Sequence, residues 1–277
     1  MKHLFSFITL LLLLITGNAC SQQAKDIRKL QYGTHKQNIL DLFLPASYTN
    51  KTPVVIVIHG GAWNLGDQYF TENVAVGLRE RGFVVANIDY RYVSDSVHAK
   101  DLLADIDKAV AYMEKISKEY HFKSSGYHAS GVSAGAHLAL LYSYTSNKKI
   151  KSIEALCAPS ILNDPDILAF INSLKVLKNI EQLANDTYTL GTKPSDKFTA
   201  ISPIAQITQI PTLLVHGTKD KSVQYKNSTL MLEQLQKQKV PSKLLTMPGN
   251  GHDVGLNQPD TAKIVFDEMA AWVKKHD

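Results

Sequence analysis

A serine between two glycines, in Gly131-Val132-Ser133-Ala134-Gly135, is the part of the sequence best suited to nucleophilic chemistry. It leads into residues 136–141, which have the composition of a helix. A strand that turns this sharply into a helix needs small residues on both sides, because the middle residue is held in strained geometry with its side chain exposed. The G-x-S-x-G pattern therefore predicts Ser133 as a nucleophile, although a flexible Gly/Ser turn would have the same letters.

A glycine pair upstream is suited to stabilising a developing oxyanion. The motif His59-Gly60-Gly61-Ala62-Trp63 comes directly after a β-branched apolar run. Glycines let the backbone approach a bound carbonyl closely, so we predict the N–H groups of Gly61, Ala62 and Ala134 as the oxyanion donors. A plain turn at the end of a strand is the alternative.

A candidate acid and a candidate base both follow the serine. Asp220 lies after the apolar run 211–217, where sites on parallel sheets form, and a turn or capping aspartate is the alternative. His252 lies in a glycine-rich loop, Pro248 to Asp253, where no packing requirement explains it. The other nine histidines fit terminal, polar or structural positions, but His137 is one helical turn from Ser133 and is a candidate for a supporting role.

Together these residues predict acyl transfer by a serine. His252 would take the proton of Ser133 during attack on an acyl carbon, and Asp220 would fix the imidazole tautomer and stabilise its charged form. Water would then release the acyl group. The sequence contains no H-E-x-x-H motif, no paired C-x-x-C and no glycine-rich phosphate loop, so neither a metal nor a cofactor is expected.

Strands and helices alternate along the chain. Continuous apolar runs predict buried strands at 53–59, 83–89 and 211–217. Helical spacing or composition predicts helices at 71–81, 101–120, 229–239 and 261–275. This alternation predicts an α/β fold with a mostly parallel central sheet and helices on both faces, preceded by a pair of antiparallel strands.

One segment, 160–203, interrupts the alternation. It shows helix-like pieces at 167–177 and 180–184 and no strand. A long excursion inside a compact domain is usually functional, so we predict a small helical cap over the edge of the active site.

The chain resembles the α/β-hydrolase carboxylesterases with a His-Gly-Gly oxyanion motif, the branch of hormone-sensitive-lipase-like esterases, acetyl esterases and kynurenine-formamidase-like enzymes. The residues that carry the resemblance are His59 to Trp63, Asp89-Tyr90-Arg91, Gly131 to Gly135 with His137-Leu138-Ala139, Ser202-Pro203, His216-Gly217 with Asp220 and Val223, and Gly251-His252. It spans nearly all of the chain from about Tyr32, and the order Ser133, Asp220, His252 is the order of that fold. Ala62-Trp63 stands where hormone-sensitive-lipase members have a third glycine, which moves the chain toward the acetyl-esterase and formamidase side.

The first residues predict export. A short basic start, an apolar run from Leu4 to Ile15 and a small-residue exit predict a secretory signal peptide at 1–19. Cys20 follows, as in a bacterial lipoprotein signal, although Gly17 replaces the usual Leu-like residue and an ordinary signal peptidase would also accept the site. We predict lipidation of Cys20, a polar tether at 20–27 and one hydrolase domain at 28–277, in a cell-envelope protein or otherwise a periplasmic or secreted one.

Composition and net charge indicate which classes of binding partner the chain is suited to. With 44% hydrophobic and 20% charged residues the chain is globular, and its net charge of +5 is spread along the sequence, which is typical of a solvated surface and not of nucleic-acid binding. Cys157 lies in an apolar stretch and is predicted to be a small buried residue. Membrane contact is expected only through the lipid anchor.

We expect a serine esterase for short acyl esters, with acetyl groups on carbohydrates as a substrate class for an envelope protein. An amide hydrolase of the formamidase or peptidase kind would use the same three residues. A lipase would need a broad apolar cap, which residues 161–177 could form. A non-catalytic binding protein is the alternative from another class.

Overall fold

The computed structural model describes residues 23–277. The predicted signal peptide (1–19) and lipidation site Cys20 lie outside these residues and stay predictions, which the mass of the mature N-terminus would test. The predicted tether (20–27) is wrong at its end, because the first strand begins at Lys25. This strand lies at the edge of the sheet, and most of its side chains are polar and exposed. Its sequence therefore has the polar composition of a linker, which is why its first residues are predicted as part of the tether.

One sheet of eight strands runs through the described part of the chain. The strands are β1 (Lys25–Gln31), β2 (Ile39–Leu44), β3 (Val54–Ile58), β4 (Val84–Ile88), β5 (Tyr127–Val132), β6 (Ile150–Leu156), β7 (Thr212–Gly217) and β8 (Ser242–Met247). Their order across the sheet is β1-β2-β4-β3-β5-β6-β7-β8, with β2 antiparallel to β1 and β4 and all other neighbours parallel. This confirms the mostly parallel sheet and the antiparallel opening pair.

Helices cover both faces of the sheet, as predicted. They are α1 (Glu72–Arg79), α2 (Ala99–Tyr120), α3 (Ala134–Thr145), α4 (Pro165–Ser173), α5 (Leu177–Ala184), α6 (Asp196–Ala200), α7 (Lys226–Lys237) and α8 (Pro259–His276), with short 3-10 helices at Gln68–Thr71 and Pro203–Ala205. Helices α2, α3 and α7 pack on one face, and α1 and α8 pack on the other. In the stretch that the structure covers, no helix is both long and apolar enough to cross a bilayer.

The central strand β3 shows why the β-branched runs predicted buried strands. All five of its residues are buried. Val54, Ile56 and Ile58 pack into the core on the α2 and α3 side, whereas Val55 and Val57 pack into the core on the α1 and α8 side. Both faces therefore require apolar side chains, and the polar alternation of a half-exposed strand is absent from this run.

Helices α4, α5 and α6 lie between β6 and β7, in the segment predicted as a cap (160–203). This described segment contains no strand. The predicted helix at 167–177 is too long, because α4 ends at Ser173 and Leu177 begins α5. Lys175 between them has a φ of 61°, a left-handed conformation that interrupts a right-handed helix.

A chain of hydrogen bonds leads from a buried carboxyl in β6 toward the surface. Glu154 is fully buried, and its Oε1 lies 2.5 Å from the hydroxyl of Ser152, which lies 2.7 Å from Nδ1 of His128. Nε2 of His128 lies 3.2 Å from a carboxyl oxygen of Asp277. Burial raises the pKa of Glu154 to about 8 and lowers that of His128 to about 4. At neutral pH a protonated Glu154 donates to Ser152, Ser152 donates to Nδ1, and Nε2–H donates to Asp277.

This network predicts a loss of stability at alkaline pH that Glu154→Gln removes in part. The pKa of Glu154 is about 8 in the folded protein against an ordinary value of 4.5, so the folded protein holds a proton that the unfolded chain releases. The resulting stabilisation is fully present below about pH 4.5 and is lost progressively as the pH rises from there through about 8, at about 1.4 kcal/mol per pH unit. Glutamine cannot ionise, and its amide can donate to Ser152.

Urea unfolding of both proteins at pH 6 and pH 9 measures the effect. The free energy of unfolding of the wild type should fall by about 3 kcal/mol more than that of Glu154→Gln between these two values. An equal fall in both proteins would show that Glu154 does not change its protonation on unfolding.

Candidate active site

Ser133 lies at the turn between β5 and α3. Its φ is 56° and its ψ is −121°, the strained elbow geometry that the flanking glycines predicted. At both Gly131 and Gly135 the neighbouring backbone leaves no space for a Cβ atom. A Cβ on Gly131 would lie 2.4 Å from the carbonyl of Gly135, and one on Gly135 would lie 2.0 Å from the carbonyl oxygen of Ile58. The elbow therefore packs directly against the end of β3, which also carries the predicted oxyanion loop.

The predicted acid and base are hydrogen-bonded to each other. Nδ1–H of His252 donates to Oδ2 of Asp220 over 2.7 Å. The side chain of Asp220 is fully buried, whereas 32% of the His252 side chain is exposed. In the neutral imidazole with its proton on Nδ1, Nε2 is the nitrogen that accepts, which is the state that a general base needs.

A second histidine also contacts Asp220. Nε2 of His216, in β7, lies 3.2 Å from Oδ2 of Asp220 and 3.0 Å from the carbonyl oxygen of Val223. Because both partners only accept, Nε2 carries the proton, and Nδ1 accepts from the hydroxyl of Ser228 over 2.7 Å. The position of His216 in a predicted strand indicates only a structural histidine, so the sequence does not predict this contact. Its position four residues before the predicted acid was the available signal.

Asp220 is held in its charged form. Burial raises its pKa, but hydrogen bonds from His216, His252 and the backbone N–H of Val223 outweigh burial and hold the pKa well below its usual range. A carboxylate that stays charged can stabilise the imidazolium formed when His252 takes a proton.

The loop after β3 holds three consecutive residues in the left-handed region, with φ of 114° at Gly61, 48° at Ala62 and 62° at Trp63. The carbonyl of Gly61 accepts the N–H groups of Asn64 and Leu65, each over 3.1 Å. These bonds fold the loop back on itself and fix the peptide plane that carries the N–H of Ala62.

The three predicted oxyanion donors meet at one cavity. Gly61, Ala62 and Ala134 line it together with Ser133. Within residues 23–277, none of their three N–H groups has a protein acceptor. Unpaired donors beside a candidate nucleophile are the arrangement that stabilises a tetrahedral oxyanion.

His137 supports the oxyanion loop from α3. It is fully buried, its Nδ1 accepts the indole N–H of Trp63 over 3.2 Å, and its Nε2–H donates to the carbonyl of Ile201 over 2.7 Å. Burial lowers its pKa to about 4, so the ring is neutral at neutral pH. His137 thus joins the loop, the elbow helix and the end of the cap segment.

The cavity has a volume of about 540 Å³ and is lined mostly by apolar side chains. Ser133 and His252 lie in it, and the cap contributes part of its wall through Ile171, Leu174, Val176 and Ile180. None of the described Asp, Glu, Lys and Arg residues lines this cavity. The cavity therefore suits an uncharged, apolar group beside the serine.

Three potential metal ligands also meet at the acid. Sγ of Cys157 and ligand atoms of His216 and Asp220 lie within 4.8 Å of one another. They fit a metal poorly, because Nε2 of His216 carries its proton and both oxygens of Asp220 already accept hydrogen bonds. Burial, and then the charge of Asp220, raises the pKa of the Cys157 thiol well above its usual range. Cys157 is a buried free thiol, as predicted.

Comparison with known proteins identifies a family for the chain and several relatives. The BD-FAE family model matches residues 40–235 of the chain. The isoprenylcysteine alpha-carbonyl methylesterase ICME of Arabidopsis thaliana is 25% identical over 268 residues, which cover 90% of this chain and 62% of the plant protein. A kynurenine formamidase of Danio rerio is 33% identical over 115 residues, covering 40% of this chain and 36% of the fish protein. The chain spans about three-fifths of the length of the plant methylesterases.

Solved structures with the same fold include a truncated form of a carbohydrate esterase from gut microbiota. Its TM-score is 0.75 at 17% identity, and the match covers 93% of this chain and 98% of that one. Esterase B from Lactobacillus rhamnosis (HN001) also has a TM-score of 0.75, at 19% identity, over 93% of this chain and 88% of that one. At these identities the likeness establishes the α/β-hydrolase fold.

Proposed function

The chain belongs to the BD-FAE family, and from this membership and the geometry of the site we propose that it is a serine esterase that hydrolyses carboxylic esters through an acyl-enzyme. The observation that carries the proposal is a single cavity that holds an elbow serine, a histidine bonded to a buried carboxylate and unpaired N–H donors. Relatives named as methylesterases and formamidases make an ester or a formamide the candidate bond.

In the first half of the reaction, Nε2 of His252 takes the hydroxyl proton of Ser133 as Oγ bonds to the acyl carbon. The carbonyl oxygen becomes an oxyanion, which the N–H groups of Gly61, Ala62 and Ala134 stabilise. The imidazolium then gives its proton to the leaving alcohol, the bond from carbon to that alcohol breaks, and the acyl group stays on Ser133. Asp220 keeps its charge throughout and holds the tautomer of His252.

In the second half, water takes the place of the alcohol. His252 removes one proton from the water as its oxygen attacks the acyl carbon, and the same N–H groups stabilise the second oxyanion. The proton passes from His252 to Oγ of Ser133 as the acyl bond breaks, which releases a carboxylic acid and restores the free enzyme.

We propose short, uncharged acyl esters as substrates, acetyl esters of carbohydrates among them. The apolar, charge-free wall supports an uncharged acyl group, and the volume of about 540 Å³ leaves room for acyl chains of several carbons. Leu174, which directly follows α4, lines this cavity from the cap side and is 39% exposed.

A series of p-nitrophenyl esters from acetyl to palmitoyl tests this substrate class. We expect turnover from acetyl to about hexanoyl and little turnover of palmitoyl. Because Leu174→Trp fills part of the cavity, it should lower the ratio of hexanoyl to acetyl kcat/KM by roughly tenfold. Lys178→Ala, on the exposed surface of the cap, is the matched control and should leave the ratio unchanged.

The same series separates the alternatives. Preference for palmitoyl would favour a lipase, and faster cleavage of a matched anilide or formamide than of the ester would favour an amide hydrolase. Folded protein that cleaves none of these compounds would overturn the enzyme proposal in favour of a binding protein.

A further inference from the structure

The cap reaches into the oxyanion loop through one side chain. Nδ2 of Asn179, in α5, donates to the carbonyl oxygen of Ala62 over 3.0 Å. Its Oδ1 accepts from Nδ2 of Asn64 over 3.1 Å. One amide of the cap therefore binds two points of a loop that lies more than 110 residues away in the chain.

The loop needs such an anchor because its conformation is strained. Ala62 and Trp63 both have positive φ without being glycine, which costs on the order of 1 kcal/mol per residue. Rotation of the peptide between Ala62 and Trp63 would change ψ of Ala62 and let Trp63 relax toward an ordinary φ. That peptide carries the carbonyl that Asn179 holds.

The remaining carbonyls of this turn are held from within the body of the protein. The Gly61 carbonyl accepts the N–H groups of Asn64 and Leu65, and the Trp63 carbonyl accepts the N–H of Val93 over 2.9 Å. Asn179 supplies the bond between these two, so the peptide plane after Ala62 is held only when the cap is in place.

We propose that Asn179 is a positioning residue that makes the cap part of the oxyanion site. It holds the peptide after Ala62 and so fixes ψ of Ala62 and φ of Trp63, which keeps the strained turn that presents the Ala62 N–H to the cavity in one conformation. The next residue, Ile180, lines the same cavity. An acyl group that packs against Ile180 would therefore contact the helix that carries Asn179. This inference rests on the proposed esterase function.

The test compares Asn179→Asp and Asn179→Ala with wild type on p-nitrophenyl butyrate. Aspartate keeps the size of asparagine but cannot donate to the Ala62 carbonyl. We expect kcat to fall between about 10- and 100-fold in both variants, below the roughly 100- to 1000-fold loss that follows direct removal of an oxyanion donor. KM should change less than twofold.

A transition-state analogue separates positioning from simple anchoring of the cap. The affinity for a butyl trifluoromethyl ketone should fall by the same factor as kcat/KM, because both report the oxyanion. Asn64→Ala, an exposed substitution that removes one of the two bonds of Asn179, should lower kcat less than Asn179→Ala does. Lys178→Ala should match wild type.

A rise in KM with unchanged kcat and unchanged ketone affinity would overturn the inference and leave Asn179 as an anchor of the cap. If the Asn179 variants do not fold, Asn64→Ala becomes the deciding variant. A wild-type kcat in folded Asn64→Ala would then contradict the proposal. Wild-type protein without any esterase activity would overturn the proposed function itself, so the two failures are distinguishable.

Discussion

Replacing Ser133 with alanine is expected to lower kcat for p-nitrophenyl acetate by roughly 10⁶-fold, the size of loss seen when a serine nucleophile is removed. The change removes only Oγ from a residue whose backbone the elbow already holds in place. Binding of ester should persist, because the cavity wall and the unpaired N–H groups are unaltered. The measurement is kcat and KM for purified protein, with circular dichroism to show that the fold is kept.

The matched control for this substitution is Ser222→Ala. Ser222 lines the same cavity. It donates to Asp220 through its backbone N–H, and alanine keeps that bond. Its kcat should lie within about threefold of wild type. Comparable activity in Ser133→Ala and wild type would exclude Ser133 as the nucleophile.

Asp220→Asn is expected to lower kcat by about 10⁴-fold with little change in KM. Oδ2 of Asp220 accepts the proton on Nδ1 of His252, and this bond fixes the tautomer in which Nε2 faces the substrate. The amide of asparagine is neutral and can donate to the imidazole, so it removes the stabilising charge and favours the wrong tautomer. Because the side chains have the same shape, the backbone bonds of the loop should persist.

The control for this prediction is Asp253→Asn. Asp253 adjoins His252 in sequence, but its carboxylate accepts from the N–H of Gly255 and from the side chain of Asn257, away from Asp220. We expect its kcat to stay within about threefold of wild type. Loss of activity in Asp253→Asn together with normal activity in Asp220→Asn would show that Asp253, and not Asp220, is the acid.

The sheet and the three candidate catalytic residues could be predicted because each leaves a local pattern. The run 54–58 is apolar throughout since both faces of β3 are buried, and Gly131 and Gly135 are glycines since the elbow has no space for a Cβ. Asp220 and His252 lie directly after strands, where the carboxyl ends of a parallel sheet gather their loops.

The support around these residues could not be predicted because it depends on contacts between distant segments. Asn179 is one polar residue in a cap of mixed composition, and nothing near it in sequence points to Ala62. His216 looks like any histidine in a strand until β7 and its loop bring Asp220 back onto it. The break at Lys175 was missed because apolar spacing continues from α4 into α5 across it.

Mass spectrometry of the protein after reaction with a fluorophosphonate tests the central claim most directly. A phosphonate bonds covalently to a serine that is activated by a base and faced by oxyanion donors, and releases fluoride. We predict one adduct per chain, located on the peptide that contains Ser133, with no adduct in Ser133→Ala and much slower labelling in Asp220→Asn. Complete absence of an adduct, or an adduct on another serine, would contradict the proposal that this site is that of a serine esterase.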